Sequence, residues 1–292
     1  MQLRSLTTMK IGGEPELFLR LQDLKDLERP LPQPIRILGN GSNVLIDDQP
    51  LKGTVICVRD FPPSEPTVLS ESETAIEIEV SAGMFLPTLC RWAEKRGLSG
   101  IEYMIGVPGT FGGAIVQNAG ANNQEVSQVL ISASIFDLSA QQSRLLLARD
   151  LKFTYRHSVL KDHPLWLVVS GRLRLSKALS LAQIQDRISL NQSYRREKTP
   201  YNKPSLGSVF TRLPDGKGGW LFPGKLIEDA GLKGFQMGGA RVSPVHANYI
   251  VNEGQATFND VIALIEKIET VIESKFGIKM NREILIWSDR SR

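Results

Sequence analysis

IEYMIGVPGTFGGAIVQNAGANNQE, residues 101–125, is the stretch on which the reading of the fold turns. Gly106, Gly109, Gly112 and Gly113 carry no Cβ, so backbone N–H groups there can close on a ligand. Pro108 fixes one φ angle and stiffens the bend. Successive amides in such a bend make a concave, electropositive nest suited to phosphate. Asn118 adds a side-chain donor and acceptor past the apolar run Ala114-Ile115-Val116. A mobile surface loop would carry more Ser, Asp and Lys and fewer apolar residues. The stretch is therefore expected to be a loop lying against a bound group, with Gly112 in that group's path.

A second glycine turn lies upstream. The apolar strand Ile35-Arg36-Ile37-Leu38 runs into Gly39-Asn40-Gly41-Ser42-Asn43, then Val44-Leu45-Ile46. A strand ending in Gly-x-Gly is half of a dinucleotide fingerprint, but no helical periodicity follows and Pro50 comes early. Ser42 and Asn43 can bond phosphate or backbone, so a ligand turn and a plain β-turn both stay open. Between the two turns, Ile76, Ile78 and Val80 alternate with Glu77 and Glu79, which predicts a half-buried strand. Leu86, Leu89, Cys90 and Ala93 predict a helix closed by Gly97. Residues 129–136 and 165–175 read as further strands. From Ser180 the texture becomes helical, with Leu181, Ile184, Ile188 and Leu190 spaced along residues 181–193, followed by a basic run that stops at Pro200. A strong helix is predicted over 259–276, with the stripe Val261, Leu264, Ile265, Ile268 and Ile272, a Thr257 cap and Gly277 at its end. A short strand, 284–287, follows. The change of texture predicts a domain boundary near residue 178.

The chain of 292 residues can form two or three domains with real cores. Its 41% apolar and 23% charged residues place it among ordinary soluble proteins. A net charge of +4 is too mild for a nucleic-acid partner and suits small anions held by local bases. Cys57 and Cys90 stand far apart in apolar surroundings, so neither a disulfide framework nor a metal site is expected, and reduced thiols point to a cytoplasmic protein. The start of the chain has no signal-peptide core and no apolar run reaches membrane-spanning length, so no membrane insertion is expected. His157, His163 and His246 lack metal-ligand spacing. A monomer is the expected state.

Seven stretches, in order, carry a resemblance: TTMKIGG (7–13), GNGSNVLI (39–46), GLSGIEYMIGVPGTFGGAIVQNAGA (97–121), FTYRHS (153–158), KPSLGSVF (203–210), GKLIEDAGLKG (224–234) and VSPVHANYIVN (242–252). Together they resemble the UDP-N-acetylenolpyruvoylglucosamine reductase family, flavoenzymes of peptidoglycan precursor synthesis. The resemblance implies an α+β fold. An FAD-binding region of the vanillyl-alcohol-oxidase type, in subdomains of about 1–50 and 51–178, would precede a substrate-binding domain over 179–292. It implies that NADPH reduces non-covalent FAD, which passes hydride to the enolpyruvyl group of a UDP-sugar to give UDP-N-acetylmuramate. The short span from Arg156 to Ser208 is similar to the family's second type, which lacks an inserted tyrosine loop.

The same resemblance assigns roles. Arg156, Ser208 and Glu283 match the catalytic arginine, the proton donor and the C-terminal glutamate. Gly39, Asn40, Gly41, Ser42, Asn43, Gly106, Pro108, Gly109, Thr110, Gly112, Gly113, Ala114, Asn118, Gly120 and Ala121 match the cofactor-binding positions. Lys198 and Arg212 match substrate-binding ones. The chemistry suits these residue types, because hydride addition leaves negative charge beside a carboxylate, which needs a cation and a proton. Read alone, Gly207-Ser208 is a turn, and Glu283 beside Arg282 is a solvated pair. His157 and His246 stay outside the set. Four places depart from the family: Thr211 to Leu213, the long turn Pro214 to Gly219, Asn122-Asn123, and Gln117 where an apolar residue is common. Two other readings remain, a flavin oxidase on the same fold and a non-catalytic FAD- or UDP-sugar-binding scaffold. The turn at Gly39 to Asn43 offers no histidine for a covalent flavin.

Overall fold

The alternation at Ile76, Ile78 and Val80 becomes the strand Ala75–Ser81, with those three side chains buried. It lies in a five-stranded sheet of order Gln142–Leu147, Leu130–Asp137, Trp166–Ser176, Ala75–Ser81, Thr67–Glu71, antiparallel throughout. Glu77 and Glu79 stand opposite Arg174 and Arg172, so opposite charges meet across the ladder. The computed structural model describes residues 1–290.

Helices cover this sheet. The first, α1 (Leu86–Glu94), has Pro87 in its first turn and buries Leu86, Leu89, Cys90, Trp92 and Ala93. Gly97 follows at φ +65. The second, α2 (Phe111–Gln117), corrects the reading of residues 101–125 as a loop. Phe111, Ala114 and Ile115 give its short turn pair a buried apolar face, which outweighs the low helix propensity of Gly112 and Gly113. That face lies close on the sheet at Gly171, where an added Cβ would come within 2.8 Å of both Phe111 and Ile115. The third, α3 (Leu181–Lys198), runs past residue 193 and takes in most of the basic run. It buries only Ile184 and Ile188, while Leu181 and Leu190 are exposed, so its core stripe is narrower than the spacing predicts. Ile35–Leu38 runs parallel to the end of Leu51–Cys57, with Ile35 beside Thr54 and Leu38 beside Cys57.

Apart from Leu51 and the last three residues of α3, these elements belong to a central unit, Leu17–Asn40 with Lys52–Arg195. The other, terminal unit gathers Met1–Glu16, Gly41–Leu51 and the chain from Arg196 onward. It holds a four-stranded antiparallel sheet of order Ser205–Ser208, Tyr249–Asn252, Ala240–Val242, Gln236–Met237. Two helices belong to it, α4 (Pro223–Asp229) and α5 (Phe258–Phe276). The stripe Val261, Leu264, Ile265, Ile268 and Ile272 packs into one core with Leu206, Val242 and Ile250, as the periodicity predicts. Thr257 and Asp260 form a reciprocal capping box and Gly277 closes α5 at φ +69.

The units part differently from the boundary read near residue 178. Met9, Ile11 and Leu45 belong to the α5 core, and Val44–Ile46 pairs in parallel with Leu285–Trp287. These long-range pairings draw the first residues, and the upstream glycine turn from Gly41 onward, to the C-terminal part. Among the described residues, no helix is long and apolar enough to cross a membrane.

Candidate active site

In the terminal unit, Ser208 ends the strand Ser205–Ser208 at a bulge. Ser205 pairs with Val251 and Ser208 with Tyr249, so the register slips by one residue between them. Gly207 makes the slip possible at φ +77, a region that L side chains avoid. Beyond the bulge the chain is clamped. The Asn248 side chain accepts from the Phe210 amide at 3.1 Å and donates to the Phe210 carbonyl at 2.9 Å. The Val209 carbonyl accepts from the Glu283 amide at 2.8 Å, and Phe210 bridges to Arg282. The backbones carrying Ser208 and Glu283 are thus directly joined.

The part of the upstream glycine turn that lies in the terminal unit, Gly41 to Asn43, locks into the same frame. The Asn43 side chain donates to the Glu283 carbonyl at 3.2 Å, and the Asn43 carbonyl accepts from Leu285 at 2.9 Å. Gly41 sits at φ +63 with a would-be Cβ only 2.5 Å from the Leu6 carbonyl, so a side chain there is excluded. Thr8 donates its hydroxyl to the carbonyls of Ser205, at 2.7 Å, and Gly41, at 3.3 Å. Arg282 does not pair with its neighbour Glu283. It forks onto Glu269 of α5 with two bonds of 2.6 Å, and those bonds push its pKa up. The expectation of a solvated Arg282–Glu283 pair is therefore corrected.

In the central unit, most of the glycine stretch serves the fold. The amides of Val107, Gly109, Phe111, Gly112 and Ala114 each donate to a protein carbonyl, so the expected nest of successive free amides is not formed. A Cβ on Gly112 would stand 2.8 Å from the Ala82 Cβ, so this glycine permits close helix packing. A Cβ on Gly106 would stand 2.5 Å from Cγ of Arg195, whose Nε donates to the Gly106 carbonyl at 2.7 Å. Gly120 and Ala121 pair with Glu125 and Gln124 in a hairpin, and Asn122 and Asn123 take its two left-handed positions. Their place outside the family pattern is a turn requirement met by asparagine. Asn40 donates to the Pro108 carbonyl at 3.1 Å.

Two buried side-chain oxygens in this stretch lack a hydrogen-bond partner among the described residues, Glu102 Oε1, which faces Arg187 at 3.9 Å, and Thr110 Oγ1. Thr110 Oγ1 is walled by glycine: a Cβ on Gly39 would lie 2.6 Å from it and one on Gly113 3.5 Å. An orphaned buried hydroxyl between two side-chain-free residues fits a polar cofactor. Gly39, Thr110 and Gly113 are the residues here that would hold it.

Arg156 belongs to the central unit. It sits at φ +57 in the turn Thr154–His157, whose end residues exchange backbone hydrogen bonds of 3.0 and 3.1 Å. Its Nη2 donates to the Gly120 carbonyl at 2.7 Å, and its guanidinium lies 5.0 Å from the Tyr155 ring centroid. Nearby Tyr103 is buried, and burial pushes its phenol pKa well up.

Lys198 ends α3, paired with Glu197 at 2.5 Å and half exposed. Arg212 lies 4.1 Å over the Trp220 ring. The turn after it is a small hairpin, Leu213–Pro214 with Trp220–Leu221, in which Asp215 accepts from the Lys217 and Gly219 amides at 2.8 Å. His246 accepts from the Asn248 amide through Nδ1, and His157 faces Asp162, so both histidines have structural partners. Cys57 and Cys90 are buried free thiols, and burial pushes Cys90 up to about 12. No group of three metal-ligating side chains occurs among the described residues. Thr8 and Asn248 lie in the motifs at 7–13 and 242–252, but the bonds by which they set the frame around Ser208 escape a reading by sequence. Their partners lie far along the chain and leave no local pattern.

A family model described as "UDP-N-acetylenolpyruvoylglucosamine reductase, C-terminal domain" matches residues 199–287, and one described as "FAD binding domain" matches residues 26–141. A protein named UDP-N-acetylenolpyruvoylglucosamine reductase from Synechococcus sp. (strain RCC307) is 40% identical over 97% of this chain and 91% of its own length. One of the same name from Moorella thermoacetica is 35% identical over 97% of this chain and 90% of its own. The crystal structure of such a reductase from Thermus caldophilus superposes with a TM-score of 0.79 at 29% identity, covering 99% of this chain and 98% of that one.

Proposed function

The chain belongs to the UDP-N-acetylenolpyruvoylglucosamine reductase family, and from that premise we infer that it reduces UDP-N-acetylglucosamine enolpyruvate to UDP-N-acetylmuramate with FAD. When bound, FAD supplies the hydride, with NADPH as the ultimate donor. The chain's own residues handle the charge and the proton. As hydride reaches the terminal alkene carbon, negative charge builds on the adjoining carbon and its carboxylate. The Arg156 guanidinium can fork onto that carboxylate. The Ser208 hydroxyl gives its proton to the carbon: its O–H bond breaks, the new C–H bond forms, and the serine recovers a proton from solvent. A serine is a weak acid, so its placement must supply the advantage. Glu283 acts at the same centre, and its charge requires a cation or a shared proton beside it. Lys198 and Arg212 bind the phosphates. The enzyme works as a cytoplasmic monomer.

The observation that supports this reading is the join between distant residues. The strand end bearing Ser208 and the backbone bearing Glu283 are hydrogen-bonded neighbours through Val209, at 2.8 Å. The test is a product assay. Purified protein given NADPH and the enolpyruvyl sugar should form one UDP-N-acetylmuramate per NADPH consumed. Peroxide release tied to oxidation of an alcohol would support the oxidase reading. Flavin binding with no sugar-dependent NADPH use would leave a scaffold.

A further inference from the structure

We propose that Asn118 is a positioning residue for Arg156: its side chain fixes the turn that carries the guanidinium and does not serve as a flavin contact. The proposal rests on the reading of Arg156 as the grip on the substrate carboxylate.

Asn118 is fully buried and ends α2 in the left-handed conformation, φ +43. Its amide nitrogen donates to the Thr154 carbonyl at 3.0 Å, and its amide oxygen accepts from the Ser127 backbone at 3.1 Å. Thr154 is the first residue of the turn that forces Arg156 to φ +57. That region costs a residue with a Cβ about 1–2 kcal/mol, so surrounding bonds must hold it. Two more come from the end of the same helix. Ser158 donates its hydroxyl to the Val116 carbonyl at 2.8 Å. Lys161 Nζ donates to both the Gln117 side chain and the Arg156 carbonyl at 3.3 Å. The far end of the arginine is referenced to the same segment, because Nη2 donates to Gly120, two residues past Asn118. Backbone and tip of Arg156 are thus both measured from residues 116–120. Aspartate at 118 keeps the shape and the bond from Ser127, but sets an oxygen against the Thr154 carbonyl.

The test compares Asn118→Asp, Lys161→Met, Arg156→Ala and the Asn118→Asp/Arg156→Ala pair. Four quantities are read: flavin content, bleaching by NADPH without sugar, reoxidation by the enolpyruvyl sugar, and calorimetric affinity for UDP-N-acetylmuramate. Asn118→Asp should keep flavin and bleach normally, yet reoxidise about 10²-fold more slowly and bind product about tenfold more weakly, as expected of a misplacement near 1 Å. Lys161→Met should show the same pattern more mildly. In the Arg156→Ala background, Asn118→Asp should add less than about twofold, because the two act as one unit. Loss of flavin or of bleaching in step with reoxidation would overturn the proposal, as would a full Asn118→Asp effect without the arginine. If Arg156→Ala itself leaves reoxidation and product binding intact, the functional reading of Arg156 falls. If Arg156→Ala is slow but both positioning variants are normal, only the proposal falls. Should Asn118→Asp fail to melt cooperatively, Lys161→Met decides.

Discussion

Gly207 and Asn248 show how a single reactive side chain is set in place. The glycine takes φ +77 with nothing nearer its would-be Cβ than the Ser42 carbonyl at 3.7 Å, so backbone conformation alone demands glycine there. The bulge that results interrupts pairing just before Ser208, and Asn248 holds the two residues beyond it. Ser208→Ala removes a hydroxyl without touching that frame. It is expected to keep flavin and accept hydride from NADPH, while turnover with the enolpyruvyl sugar falls about 10²–10⁴-fold. Stopped-flow absorbance separates the two half-reactions, and unchanged sugar turnover would remove Ser208 from its role. Ser208, Arg156 and Glu283 were legible only through their motifs. Taken singly, a Gly-Ser pair, a turn arginine and a glutamate beside an arginine look like ordinary surface.

The helix α2 carries the clearest lesson at the level of elements. Its adjacent glycines look alike in sequence but face different surroundings. A Cβ on Gly112 would meet Ala82 at 2.8 Å, whereas one on Gly113 would meet only the orphan hydroxyl of Thr110, at 3.5 Å. Gly112→Ala should destabilise by about 1–3 kcal/mol through overpacking. Gly113→Ala should melt at or above the parent temperature, since alanine favours helix by about 1 kcal/mol, yet retain less flavin. Calorimetry and the flavin absorbance of purified protein check both, and equal behaviour of the two variants would refute the assignment. Another element-level device is the carboxylate of Asp47, at the end of Val44–Ile46. Burial pushes its pKa up, but bonds from the Gln49 amide, the Ser288 hydroxyl and Arg290 outweigh burial and hold it below the ordinary value. A depressed carboxyl adds stability above its unfolded pKa, lost as pH falls through the folded one. Asp47→Asn should therefore cost about 2 kcal/mol near pH 7. Its melting-temperature deficit should shrink as the pH is lowered toward about 3.

For the whole molecule, chain order and spatial grouping disagree. A fragment of residues 1–178, cut where the texture of the sequence changes, would leave Met9, Ile11 and Leu45 without the α5 core they fill. It would also lose Ile184 and Ile188 from the central core. Such a fragment should bind a hydrophobic dye and elute as aggregates in size-exclusion chromatography, whereas a monomer that melts cooperatively would contradict this. The α+β class, the strand at Ala75–Ser81, α1 and α5 with its cap, and the family are all readable from the chain alone. These rest on local periodicity, on capping residues and on ordered motifs, all written within a few neighbouring positions. The long-range packing shows what the chain does not: that residues 111–117 of the glycine stretch form a helix, that Gly112 packs closely on Ala82, and that Asn118 donates to the Thr154 carbonyl in the arginine turn. It alone joined the first residues to the last. The physical reason is the same in each case: those outcomes depend on which distant backbone or side chain arrives at a given spot, and hydrogen bonds between remote residues leave no period in the chain.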